Sequence, residues 1–112
     1  MPESDSFKFG LTEKQFQLMI NTISSFNEVE TVLIFGSRAK GNFRPASDVD
    51  LAVFGEKVNR TTINRLSSAL DDLPLPFKFD VLDYNQLTNK SLKEKINEQG
   101  EVFFERKLNT AL

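Results

Sequence analysis

Three aspartates and one glycine–serine pair are the residues of this chain best suited to act together chemically. Asp48 and Asp50 stand two positions apart at the head of an apolar run, Val49–Phe54. In a strand, side chains at i and i+2 share a face, with Cα atoms roughly 6.5 Å apart. Both carboxylates can then turn toward one cation cluster while Val49 and Leu51 face the core. Asp80 interrupts a second apolar ladder, between Phe79 and Val81, and joins the pair if its strand lies beside that of Asp50. Three carboxylates so placed repel one another. At an effective dielectric near 20, each pair about 6 Å apart costs roughly 2–3 kcal/mol, and less when well solvated. A cation or a basic side chain must offset that repulsion. Two divalent ions about 4 Å apart would do so while clamping a phosphoryl group in line.

Gly36-Ser37 directly follows another apolar run, Thr31–Phe35 (TVLIF). Glycine lets a phosphate approach the backbone closely, and the following amides and the Ser37 hydroxyl can donate to its oxygens. A helical turn opening at Ser37 adds a favourable dipole. Arg38, Lys40 and Arg44 bring three positive charges into the same loop, able to neutralise phosphate oxygens and leaving-group charge. Each feature has a plainer reading alone. Asp-x-Asp then marks a solvated strand edge, Asp80 an outward strand charge, Gly-Ser an ordinary turn, and the basic residues a wetted surface. Arg38 is the least informative, since its direction is not legible here. The combination is what points to phosphoryl chemistry. Asp83 falls on the opposite strand face from Asp80 and reads as structural or capping, and the pairs Asp71-Asp72 and Glu3/Asp5 read as solvated charges.

Composition narrows the remaining options. The 112 residues suit one compact domain, 1–112, with 1–10 as a loose polar lead-in. With 14 basic against 16 acidic side chains, a net −2, the chain lacks the basic excess of a general nucleic-acid or membrane-surface binder. It contains neither Cys nor His, which removes thiolates, Cys-based zinc sites and the commonest general base. Acid–base and metal chemistry therefore falls to carboxylates, which favour hard cations such as magnesium. The polar, acidic start has no signal-peptide pattern, and no apolar run approaches the ~18–20 residues of a membrane span. A soluble, cytoplasmic protein is expected. The 11 Phe read as core rather than as a stacking platform.

The elements that must position the site follow from periodicity. Thr12 and Gln15 form a capping box for a helix carrying Phe16, Met19, Ile20 and Ile23 on one stripe. Thr31–Phe35 and Val49–Phe54 are strands, each ended by Gly. Between them Gly41 and Pro45 exclude a long regular element. Thr61–Leu70 is helical until Pro74 and Pro76. Phe77–Asp83 alternates as a third strand. Ser91 and Glu94 suggest a second capping box for a helix running to Gln99, stopped by Gly100, and Glu101–Lys107 a short extended piece that packs back.

The stretch GSRAKGNFRPASDVDLAVF (Gly36–Phe54) resembles the signature of the DNA-polymerase-β-type nucleotidyltransferases, and among them the minimal nucleotidyltransferases (MNT proteins): Gly-Ser, ten residues, then Asp-x-Asp. FDVLD (Phe79–Asp83) matches the strand of the third carboxylate, and EQGEVFFER (Glu98–Arg106) is similar to the family's close. The likeness runs from Thr12 to Arg106. It implies an α+β (α/β sandwich) nucleotidyltransferase fold, a small mixed sheet of three or four strands with helices packed on one face.

The resemblance further implies that Asp48 and Asp50 bind two Mg2+ ions. Asp80 would complete the triad, ligating the catalytic metal and helping to activate the acceptor hydroxyl. Gly36 and Ser37 would hold the β- and γ-phosphates, with Arg38, Lys40, Arg44 and Ser47 completing the nucleotide-binding set. The family often has Arg where Lys40 stands and usually Tyr where Phe104 stands, and neither departure touches the chemistry. The implied reaction is attack of an acceptor hydroxyl on the α-phosphate of a nucleoside triphosphate, with ATP expected, expelling pyrophosphate. Members are commonly encoded beside all-helical HEPN proteins. In characterised pairs the MNT protein is an antitoxin that moves AMP onto a tyrosine of its HEPN ribonuclease toxin. Only a short tail follows the core pattern, so a HEPN-domain partner in a hetero-oligomer is expected to supply the acceptor. Neither membrane contact nor direct sequence-specific nucleic-acid binding is expected. Two other readings stay open: a catalytic subunit acting on a small molecule or an RNA end, and a steric, non-catalytic antitoxin.

Overall fold

Strands β1 (Thr31–Phe35) and β2 (Val49–Phe54) are apolar at nearly every position, so both of their faces need cover. The computed structural model of the chain describes residues 8–44 and 47–106. In it, helix α1 (Glu13–Ser24), the short α2 (Ser37–Lys40), α3 (Arg60–Asp71) and α4 (Lys90–Gln99) surround a sheet completed by β3 (Phe79–Asp83) and β4 (Glu101–Glu105). The sheet order is β3-β2-β1-β4. β1 runs antiparallel to both β2 and β4, whereas β2 and β3 are parallel. The result is a mixed four-stranded sheet in an α+β chain, as expected.

Pleating divides the side chains between two cores. On one face Val32, Ile34, Val49, Leu51 and Val53 pack with Met19 and Ile23 of α1 and Leu66 and Leu70 of α3. On the other, Leu33, Phe35, Ala52, Phe54 and Leu82 meet Leu92 and Ile96 of α4. Helices on a single face were expected, and α4 corrects this. With Leu33, Phe35, Ala52 and Phe54 all apolar, leaving that face bare would cost about 1.5–3 kcal/mol for each large side chain exposed. Tyr84 fastens the second layer. Its ring stacks on Phe54 at 4.4 Å, and its hydroxyl donates to Asn97 Oδ1 at 2.8 Å.

Local signals set most boundaries. At Thr12 both halves of the capping box form, the Gln15 amide donating to Thr12 Oγ1 and the Thr12 amide to Gln15 Oε1, each at 3.0 Å. α3 begins a residue earlier than expected because Asn59 caps it, accepting from the Thr62 amide at 3.0 Å. α4 is capped by Asn89, which accepts from the Leu92 amide at 3.0 Å, so Ser91 lies inside the first turn rather than at its head. β3 starts at Phe79 instead of Phe77. The lead-in also differs: Lys8–Gly10 form a 3-10 turn with Phe9 buried. Residues 1–7, Pro45 and Lys107, named in the sequence reading, lie outside the described residues. No helix among the described residues is long and apolar enough to cross a membrane.

Candidate active site

Strand direction brings the chemistry to one end of the sheet. Because β1 and β2 are antiparallel, the end of β1 meets the start of β2, and Phe35 pairs with Asp50. Because β2 and β3 are parallel and in step, Asp50 pairs with Asp80. Register partners project to the same face, so both carboxylates belong to the α4 side, and Asp48, two residues before Asp50, shares their phase. Asp48 and Asp80 are exposed while Asp50 is half-buried.

Gly36 follows Phe35 at this end with φ 78° and ψ −154°, a conformation open essentially to glycine alone. Tertiary contact makes the same demand: a Cβ at this position would run into Asp50 Oδ2. The backbone then turns into α2, whose first-turn amides have no carbonyl within the helix to bond. Gly41, at φ 88°, ends the turn by donating its amide to the Ser37 carbonyl at 2.9 Å. Ser37 is half-buried, and Lys40 and Arg44 are exposed.

Two members of the expected nucleotide-binding set are engaged elsewhere. Arg38 is only 2% exposed. Its guanidinium donates to the Ser47 carbonyl through Nη2 (2.9 Å) and Nε (3.2 Å), and to the Phe9 carbonyl through Nη1 (2.9 Å). It also lies over the rings of Phe77 (4.5 Å) and Phe43 (5.2 Å). Arg38 is thus placed beneath the loop, not in front of it. The Ser47 hydroxyl accepts the Arg44 amide at 2.8 Å, closing the loop onto itself. Asp83 caps the turn Tyr84–Gln86 by accepting the Asn85 amide at 3.2 Å, in keeping with its position away from the triad.

The electrostatics tie the three aspartates together. Burial first, then the charges of Asp80 and Asp48, pushes the Asp50 carboxyl above its ordinary range; Lys95 and Arg38 pull it back. Burial likewise lowers the pKa of Arg38, against the opposing pull of Asp48 and Asp50. Lys95, on α4, is the residue that sequence reasoning missed. Its only sequence signal is its place beside the apolar Ile96, and this matters only once α4 covers the second face.

As they stand, no three acidic side chains among the described residues converge closely enough to hold a metal ion. Like charges at a sheet end have no reason to close up unless a cation lies between them. In kind, however, the donor set fits a hard divalent cation: carboxylate oxygens only, sharing a repulsion that such an ion relieves.

Residues 17–109 match the family described as polymerase beta, nucleotidyltransferase. The probable protein adenylyltransferase MntA of Haemophilus influenzae is 35% identical over 77 residues, which make up 68% of this chain and 67% of that protein. Among solved structures, a toxin–antitoxin complex with AMP-PNP superposes with a TM-score of 0.64 at 20% identity, covering 82% of this chain and 74% of the other. A putative nucleotidyltransferase from Sulfolobus solfataricus gives 0.55 at 23% identity, over 93% and 86% of the two chains. A tri-AMPylated Shewanella oneidensis HEPN toxin in complex with its MNT antitoxin gives 0.51 at 21% identity, over 81% and 73%. At these identities the solved structures establish a shared fold.

Proposed function

The chain belongs to the polymerase beta nucleotidyltransferase family, and on that premise we propose that it transfers AMP from ATP to a tyrosine of a HEPN-domain toxin, as the antitoxin of the pair. The observation that carries this reading is the register pairing of Asp50 with Asp80, with Gly36 pressed against the Asp50 carboxylate. It puts the acidic cluster and the candidate phosphate loop at one end of the sheet. The choice of AMP and of a HEPN acceptor is supported by the relatives: the Haemophilus protein is named an adenylyltransferase, and one structural neighbour pairs an MNT antitoxin with an AMPylated HEPN toxin.

Asp48, Asp50 and Asp80 would hold Mg2+, which when bound neutralises triphosphate charge and acidifies the attacking hydroxyl. The chain's own residues account for the rest. The Ser37 hydroxyl and the first amides of α2 donate to β- and γ-phosphate oxygens, and Lys40 on the same turn balances their charge. Lys95 approaches from the α4 side and limits the repulsion at Asp50. The acceptor oxygen bonds to the α-phosphorus while the bond from that phosphorus to the α–β bridging oxygen breaks, and pyrophosphate leaves. Asp80, exposed at the sheet end, accepts the hydroxyl proton. The terminal sheet position leaves the acceptor side open to a large substrate such as a protein side chain.

The test is co-expression with the protein encoded beside this chain, a HEPN-domain protein on this reading, followed by co-purification and incubation with ATP labelled at the α-phosphate. Label is expected on a toxin tyrosine, its transfer blocked when chelator is present from the start and reduced at least a hundredfold by Asp50→Asn. Equal labelling by Asp50→Asn would refute the role of that residue. Label on an RNA end or a small molecule would replace the protein acceptor. Full neutralisation of the toxin by a variant with Asn at 48, 50 and 80 would favour a purely steric antitoxin.

A further inference from the structure

The N-terminal turn and the nucleotide loop meet at one side chain. Arg38 sits directly behind Ser37, and its guanidinium reaches two stretches far apart in sequence. One is the turn Lys8–Gly10, through the Phe9 carbonyl at 2.9 Å and the Gly10 carbonyl at 3.5 Å. The other is the Ser47 carbonyl, immediately before Asp48. The turn is shaped for this contact. Phe9 adopts φ 60°, which side-chain-bearing residues rarely do. It is held there by burial, its ring 6.1 Å from that of Phe103. Gly10, at φ 75°, lies so close that an added Cβ would come within 2.6 Å of Arg38 Nη1 and collide with the Phe43 ring. A side chain needed only to fill space would not have to be a guanidinium, whose planar fork can bond several carbonyls at fixed angles.

We propose that Arg38 and the turn Lys8–Gly10 form one positioning unit, which sets the nucleotide loop and the start of β2 in the geometry that binds the Mg2+-loaded triphosphate. This rests on the nucleotidyl-transfer reading above. Arg38 touches no reacting atom; it acts through the Ser47 carbonyl and through the backbone of α2. Residues 8–10, far from the triad in sequence, then govern nucleotide affinity.

The test uses the full chain and needs no acceptor. Wild type, Arg38→Lys, Gly10→Ala and a control in the α1 core, Ile23→Val, are titrated with α,β-methylene-ATP and Mg2+ by calorimetry. Titrations are run well below each variant's Tm, which is measured separately. Arg38→Lys keeps the charge but loses the fork, and Gly10→Ala leaves Arg38 itself intact. Both are expected to weaken nucleotide binding at least tenfold, while Ile23→Val lowers Tm and stays within twofold of wild type. Should Arg38→Lys not fold, Gly10→Ala decides alone. Wild-type affinity in Gly10→Ala, or a loss in Ile23→Val as large as in the other two, overturns the positioning role. A wild-type chain that binds no nucleotide overturns the nucleotidyl-transfer reading as well, so the two failures are distinguishable.

Discussion

Asp50 stands half-buried between the acidic Asp80 and Asp48 and the basic Lys95 and Arg38. Its carboxyl is held above the ordinary value of 3.8, mainly by burial. The folded state therefore binds the proton more tightly than the unfolded chain. Stability falls as pH rises from that ordinary value through the raised folded one, and the whole penalty is present above it. Asp50→Asn is accordingly expected to raise the Tm of the metal-free protein at neutral pH, with the gain shrinking in acid. In a domain near this size, 1 kcal/mol corresponds to about 4–8 °C. A calorimetric scan showing the Asn variant melting below wild type at neutral pH would contradict the charge balance described. Mg2+ should raise the wild-type Tm and leave that of Asp50→Asn nearly unchanged. Because a proton competes for the same carboxylate, Mg2+ affinity is expected to weaken as pH drops. At Gly36 the expectation is simpler. Ala there faces a backbone penalty of about 1–3 kcal/mol and displaces the Asp50 carboxylate, so thermal stability and nucleotide binding should fall together.

Among the elements, α4 has two consequences. Ile96 is its fully buried contact with the second face, and Ile96→Ala is expected to cost about 2–5 kcal/mol in denaturant unfolding. The helix also delivers Lys95 to Asp50. Lys95→Gln removes a charge that lowers the Asp50 pKa, so the pH dependence of Mg2+ binding should move to higher pH with Tm little changed. An unshifted profile would remove Lys95 from the site. The elements also differ in how legible they were. The Thr12–Gln15 capping box lies wholly within one turn, and it formed as read. The start of α4 was read at Ser91, whereas Asn89, two residues earlier, makes the capping bond. Nothing local ranks the two. Likewise β1 was readable as a buried strand from TVLIF, but not which helix would cover its second face.

For the whole molecule, Arg106 closes the fold. Its backbone amide donates to the Glu30 carbonyl at 2.8 Å, and its guanidinium donates to the carbonyls of Ser24, Phe26 and Val29. The end of β4 is thereby tied to the exit of α1. Arg106→Ala leaves those carbonyls without their charged donor, at about 2–3 kcal/mol. A Tm loss with nucleotide affinity retained is expected, since the triad lies at the opposite end of β1: Thr31 pairs beside β4's last residue and Phe35 beside Asp50. The sequence by itself determined what depends on neighbours in the chain: the shared phase of Asp48 and Asp50, the adjacency of Gly36-Ser37 to β1, and the extent of β1 and β2. Only the tertiary structure decided that Asp80 stands beside Asp50, that Arg38 points inward to the N-terminal turn, and that Lys95 reaches the site. Those placements depend on strand order, on the direction of pairing and on which face each helix covers. All three are energies of contacts between distant segments, and no short window of residues contains them.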